Sequence, residues 1–111
     1  IVRGTTSKQL VNLIKEAGPK EIHFRISSPP IKNPCYYGMD FPSREELIAN
    51  KHNNIEDIGK YLGVDSLEYL TIDEMLETVR EENPSNYCTA CFSGIYPTEV
   101  DVNFKKEMYE L

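Results

Sequence analysis

At 111 residues the chain has material for one domain with one modest core. Hydrophobic residues make up 40% and charged residues 27%, ordinary for a soluble globular protein, and no run is apolar enough to cross a bilayer. The net charge is −6 with Lys and Arg scattered, which argues against nucleic acid, whose binding rests on neutralising many phosphates. One small phosphate held by local geometry remains compatible with that charge. Three cysteines, with two of them in a C-x-x-C, fit a disulfide-stapled secreted domain poorly and a cytosolic metal or redox role better. The expected location is cytoplasmic, with no membrane partner.

The chain opens on a loop, "IVRGTTSK", that runs directly into a helix. Leu10, Leu13, Ile14 and Ala17 recur at helical period. Thr5, Thr6 or Ser7 caps the start of this helix, and Gly18-Pro19 stops it. "EIHFRIS" then alternates, with Ile22, Phe24 and Ile26 on one side and His23 and Arg25 on the other, which predicts a strand with one buried face. Loop, helix and strand make the second half of a βαβ unit, so a first strand is expected just before Ile1.

"SSPPIKNPCYYGMDFP" has four prolines and no period, and reads as an irregular ordered loop. Three short helices follow. Ser43 with Glu46 is a capping box for "REELIANK"; Asn54 caps "IEDIGKYL", whose Ile55, Ile58 and Leu62 share a face, and Gly63 ends it. Thr71 with Glu74 is a second capping box, ahead of a stripe of Ile72, Met75, Leu76 and Val79 that Asn83-Pro84 breaks. "DSLEYL" is a short strand or a helical turn, and the end of the chain reads as loop plus a short terminal helix or a tail.

Two places carry chemistry. In "RGTTSK", Gly4 permits a sharp turn and close approach, and Thr5, Thr6 and Ser7 set three hydroxyls beside unpaired helix N-terminal N–H groups. That combination suits a phosphate monoester, with Arg3 or Lys8 adding charge; it is equally what a simple capped helix contains. The Walker spacing is absent. Cys88-Thr89-Ala90-Cys91 puts two thiols within reach of one metal, and Cys35 can supply a third. A zinc half-site, a redox pair and two small buried residues all fit the spacing, although a thioredoxin-like pair would open a helix after a strand. His23 and Arg25 read as polar-face structural residues, and Ser27-Ser28-Pro29-Pro30 sits where open α/β sheets place ligands.

The joined run "IVRGTTSKQLVNLIKEAGPKEIHFRISSPPIKNPCYYGMD", with "GVDSLEYL" and "YCTACFSGIYP" following in order, resembles the amidophosphoribosyltransferase family over nearly the whole chain. In that family a strand ending in Asp-Asp-Ser continues as I-V-R-G-T-T-S, the phosphoribosyl pyrophosphate (PRPP) signature of type I phosphoribosyltransferases. The resemblance implies an α/β fold: the C-terminal part of a Rossmann-like parallel-sheet phosphoribosyltransferase domain plus a small helical extension. Residues 1–40 would end the phosphoribosyltransferase core, and residues 41–111 would form the extension with the cysteine pair.

The resemblance further implies that Arg3, Gly4, Thr5, Thr6 and Ser7 grip the 5′-phosphate of PRPP or of a purine nucleotide. Acidic residues that help place Mg²⁺ are expected upstream of Ile1. In the iron–sulfur-containing branch a structural [4Fe–4S] cluster is bound by four cysteines, of which Cys35, Cys88 and Cys91 match three; the fourth would lie outside this chain. The implied parent is a homo-oligomeric enzyme of purine biosynthesis that forms phosphoribosylamine from PRPP and glutamine. It would carry a separate glutaminase segment, and these 111 residues alone are expected to be inactive. The alternatives are a stand-alone phosphate- or nucleotide-binding module and a metal-stabilised interaction domain without catalysis.

Overall fold

The computed structural model describes residues 1–80 and 83–100. Helix α1 spans Thr5–Glu16, strand β1 His23–Ile26, α2 Ile48–Lys51, α3 Ile55–Leu62, β2 Ser66–Tyr69, α4 Ile72–Glu77 and α5 Ala90–Ser93. Single 3₁₀ turns occupy Arg44–Glu46 and Pro84–Asn86. The proline-rich stretch between β1 and the first of these turns contains no helix or strand, as its composition predicts.

Side-chain caps set the boundaries where the sequence places them. The Asn54 carboxamide accepts from the Asp57 N–H at 2.8 Å and starts α3, and Gly63, at φ 84°, ends it. At α4, Thr71 and Glu74 bond each other's backbone N–H at 3.0 Å in both directions. At "REELIANK" the Glu46 carboxylate accepts from the Ser43 N–H at 3.1 Å and from its hydroxyl at 3.0 Å. The helix there is a 3₁₀ turn followed by the four-residue α2. Helix α4 stops at Glu77, short of Val79, because the Thr78 hydroxyl donates to the Met75 carbonyl at 2.7 Å and competes with continuation.

"DSLEYL" resolves as the strand β2, parallel to β1, with His23 opposite Ser66, Phe24 opposite Leu67, Arg25 opposite Glu68 and Ile26 opposite Tyr69. One face of this pair carries Phe24, Ile26, Leu67 and Tyr69 into a core built on Ile48, Ile58 and Leu62. The other carries His23, Arg25, Ser66 and Glu68, linked by a hydrogen bond between His23 Nδ1 and the Ser66 hydroxyl at 2.7 Å and one from Arg25 to Ser66 at 2.9 Å. Strands β1 and β2, one from each side of residue 40, thus share one sheet and one core.

Helix α1 departs from its pattern. Leu10, Leu13 and Ile14 are exposed, and Val11 is the buried residue, because α1 meets α3 along the line of Lys8, Val11 and Lys15. The hydroxyl cap expected at Thr5, Thr6 or Ser7 is also replaced: Gly4 occupies the cap position, and no side chain caps the helix. The terminal helix or tail expected after Pro97 falls largely on residues 101–111, outside the described residues.

Leu62 is 1% exposed and Leu13 63% exposed. In denaturant titrations of the chain, Leu62→Ala is expected to cost about 2–5 kcal/mol and Leu13→Ala less than about 0.5 kcal/mol. Equal costs would mean that the Leu13 face is covered.

Candidate functional site

The first loop is organised from beneath by α2. Gly4 is buried at φ 88°, and a Cβ there would collide with Ile48 Cδ1 and lie 3.6 Å from Tyr61 Cε1. The Ile48 N–H donates to the Val2 carbonyl at 2.9 Å, so one residue supports the loop with both backbone and side chain. The left-handed turn at Gly4 starts the helix immediately, and the Lys8 N–H is the first to bond within it, to the Gly4 carbonyl at 2.9 Å.

Thr5, Thr6 and Ser7 therefore fill the first turn of α1. Their N–H groups lack intrahelical acceptors, and their hydroxyls make no hydrogen bond among the described residues. Thr5 and Thr6 are exposed, Ser7 is half-buried, and no acidic residue occupies this turn. The result is a concentration of donors at the positive end of a helix of 12 residues, with no anion of the chain's own to answer it.

The two cations considered for this loop behave differently. Arg3 lies beside the loop with its guanidinium 3.5 Å from Glu46, whose carboxyl is held below its usual range mainly by the Ser43 hydrogen bonds and then by Arg3. Lys8 turns away: its ammonium donates to the Tyr61 carbonyl at 2.9 Å and lies 4.0 Å from the centre of the Tyr61 ring. Lys8 braces α1 on α3 and adds nothing to the loop.

The three cysteines are free thiols, Cys35 and Cys91 half-buried and Cys88 exposed. Cys91 sits in α5, a one-turn helix that the sequence leaves as loop, and its carbonyl accepts from the Lys32 and Asn33 N–H groups at 2.9 and 3.0 Å. Those bonds fasten α5 to the loop that carries Cys35. Burial first, and then the neighbouring Cys35 and Cys88, push the Cys91 thiol up. The Tyr37 N–H donates to the Cys35 sulfur at 3.3 Å. Among the described residues no three His, Cys, Asp or Glu side chains are drawn into a closed metal-binding group. The donor set itself, three soft thiols from two segments bonded together, has the chemistry of a zinc or iron–sulfur site.

A separate groove of about 600 Å³ runs beside β2 and contains none of these residues. Its acidic side chains already have partners: Asp65 accepts from Ile22, Glu74 from Thr71, and Glu56 and Glu68 pair with Lys60 and Arg25.

Sequence patterning missed the supports. Ile48, Tyr61 and Asn50, whose amide donates to the Lys32 and Arg44 carbonyls at 2.7 and 2.9 Å, carry no motif. Only the Ser43–Glu46 capping box, which places a helix over Ile48 and Asn50, gave any signal. No helix among the described residues is long and apolar enough to cross a membrane.

No family model matches the chain. It is similar to the chloroplastic amidophosphoribosyltransferase of Vigna aconitifolia, 56% identical over 99 residues, which are 89% of this chain and 20% of that protein. It is 54% identical over 101 residues to the amidophosphoribosyltransferase of Archaeoglobus fulgidus, covering 90% of this chain and 22% of that one. The glutamine PRPP amidotransferase of B. subtilis, solved in complex with ADP and GMP, superposes with a TM-score of 0.78 at 45% identity. That match covers 89% of this chain and 22% of the solved one. The chain spans about a fifth of the length of the curated relatives it matches.

Gly4→Ala is expected to destabilise the chain by at least about 1–2 kcal/mol through the left-handed backbone alone. Ile48→Val removes the Cδ1 atom in the way, so the double variant should lose less than the sum of the single variants. Strict additivity in melting experiments would show that Ile48 does not support Gly4.

Proposed function

This chain belongs to the amidophosphoribosyltransferase family as a segment of it, and from that premise we propose that it supplies the 5′-phosphate loop of an enzyme forming 5-phosphoribosylamine from PRPP and glutamine. The observation that carries the proposal is the first turn of α1. Thr5, Thr6 and Ser7 present free hydroxyls and unpaired N–H groups at a helix N-terminus, with Gly4 allowing close approach. The nucleotides bound in the B. subtilis structure support a loop that takes purine nucleotides as well as PRPP.

In that reaction the bond between the ribose C1 and pyrophosphate breaks, C1 gains oxocarbenium character, and ammonia released from glutamine attacks it. Mg²⁺ would supply charge stabilisation on the pyrophosphate, and acidic residues of the parent enzyme would hold it. What this chain contributes is positioning. A phosphate held by the α1 donors fixes one end of the substrate, so that C1 is presented in one place to the incoming ammonia. Arg3, steadied by Glu46, adds positive potential at the rim of the loop.

Cys35, Cys88 and Cys91 would hold a [4Fe–4S] cluster with a fourth cysteine of the parent. Such a cluster supplies a structural cross-link between the loop after β1 and α5. The exposed Leu10, Leu13 and Ile14 of α1 would be covered by the rest of the parent.

The test is the full-length parent enzyme assayed for PRPP-dependent phosphoribosylamine formation. Thr5→Ala and Thr6→Ala should each raise KM for PRPP about tenfold or more, as loss of a charge-assisted hydrogen bond requires. Unchanged KM in both variants would remove the loop from the substrate site. Analysis of the same protein for iron and acid-labile sulfide decides the role of the cysteines: four of each per chain is expected, and zinc or no metal would overturn the cluster.

A further inference from the structure

The chain contains seven tyrosines, and three of them gather where the thiols are. The Tyr96 hydroxyl donates to the carbonyl of Pro34, the residue immediately before Cys35, at 2.7 Å. Its ring packs on Tyr36, with centroids 5.1 Å apart, and on Tyr37, at 6.2 Å. The Tyr37 hydroxyl in turn bonds the Thr98 hydroxyl at 2.8 Å and accepts from the Thr98 N–H at 3.2 Å. Cys91 lies on the opposite flank, where its carbonyl receives the Lys32 and Asn33 N–H groups.

The loop bearing Cys35 is therefore gripped twice by the same C-terminal segment. α5 holds it before the cysteine, and the tyrosines hold it around and after the cysteine. The Tyr96–Pro34 and Tyr37–Thr98 bonds each span more than 60 positions of sequence. Tyr96 is the centre of the grip, since it alone combines the backbone hydrogen bond with both ring contacts. A phenol is protonated at neutral pH, so Tyr96 is the donor this bond requires.

We infer that Tyr96 is a positioning residue for the thiol site, holding the loop that carries Cys35 against the segment that carries Cys91 so that less of the chain must be ordered when a metal arrives. The inference rests on reading Cys35, Cys88 and Cys91 as one ligand set. It adds a residue that does not touch the metal and acts only through the Pro34–Tyr37 backbone. A site held in this way loses less conformational entropy on metal binding than three cysteines on independent loops.

The experiment uses the full-length parent protein, chelator-treated to remove metal, with Cys35, Cys88 and Cys91 alkylation by a maleimide followed residue by residue. Tyr96→Phe deletes the hydrogen bond and keeps the ring; it should accelerate Cys35 alkylation about fivefold, the effect of one lost hydrogen bond. Tyr96→Ala removes both and should accelerate it by more than about tenfold. Exposed Cys88 should be unaffected, and amide exchange in α3 should be unchanged in the Phe variant. Wild-type rates at Cys35 in both variants would overturn the inference, as would a wild-type Cys35 that already reacts like a free thiol. So would acceleration accompanied by equal loss of protection in α3, since that reports general loosening. Metal analysis of the untreated protein separates this from the cluster reading. A protein without iron whose Cys35 still answers to Tyr96 keeps the inference and loses the cluster, and an iron-loaded protein indifferent to Tyr96 does the reverse.

Discussion

Ile48 is the residue on which both ends of this structure depend. Its side chain belongs to the buried core with Ile58, Leu62 and Leu67, its Cδ1 fills the space beneath Gly4, and its N–H holds the Val2 carbonyl. Two residues on, Asn50 ties the same short helix to Lys32, on the way to Cys35. The loop ahead of α1 and the loop that carries Cys35 are thus carried by one segment, residues 43–51, whose geometry the core enforces. Side chains packed at interior density leave little freedom for a residue in that position to shift.

That arrangement explains how an acidic chain can present an anion site. Net charge acts at long range and is screened within about 10 Å at 0.1 M salt, whereas a helix N-terminus acts through donors in direct contact. The first turn of α1 contains no acidic residue, and Glu46, the carboxylate beside Arg3, is engaged by Ser43 and Arg3 together. Among the described residues, most acidic side chains lie on helices and helical turns and on the polar side of the sheet. Local geometry decides what the loop can hold.

The cysteine region follows a different logic. Its two segments meet through backbone hydrogen bonds and aromatic packing, and the thiols come together as a consequence. Burial of Cys91 and the nearness of Cys35 and Cys88 make its thiolate costly in the metal-free chain. A cation held by these thiols would reverse that penalty.

What the sequence determined by itself is local. Caps at Asn54 and Thr71, stops at Gly18 and Gly63, the alternation of β1 and the donor-rich "GTTS" are legible because each depends on residues within a turn of one another. The run of motifs in order also identified the family, since joined motifs constrain each other far more than single ones do. The tertiary structure decided everything that relies on distant partners. It turned "DSLEYL" into a strand by giving it β1, and it put Val11 rather than the Leu10–Leu13–Ile14 stripe against α3. It turned Lys8 onto Tyr61 and brought Tyr96 to Pro34 across 62 positions. Periodicity names a face without naming what meets it, and a tyrosine carries no mark of a carbonyl so far away in sequence. Those pairings are set by how the whole chain packs.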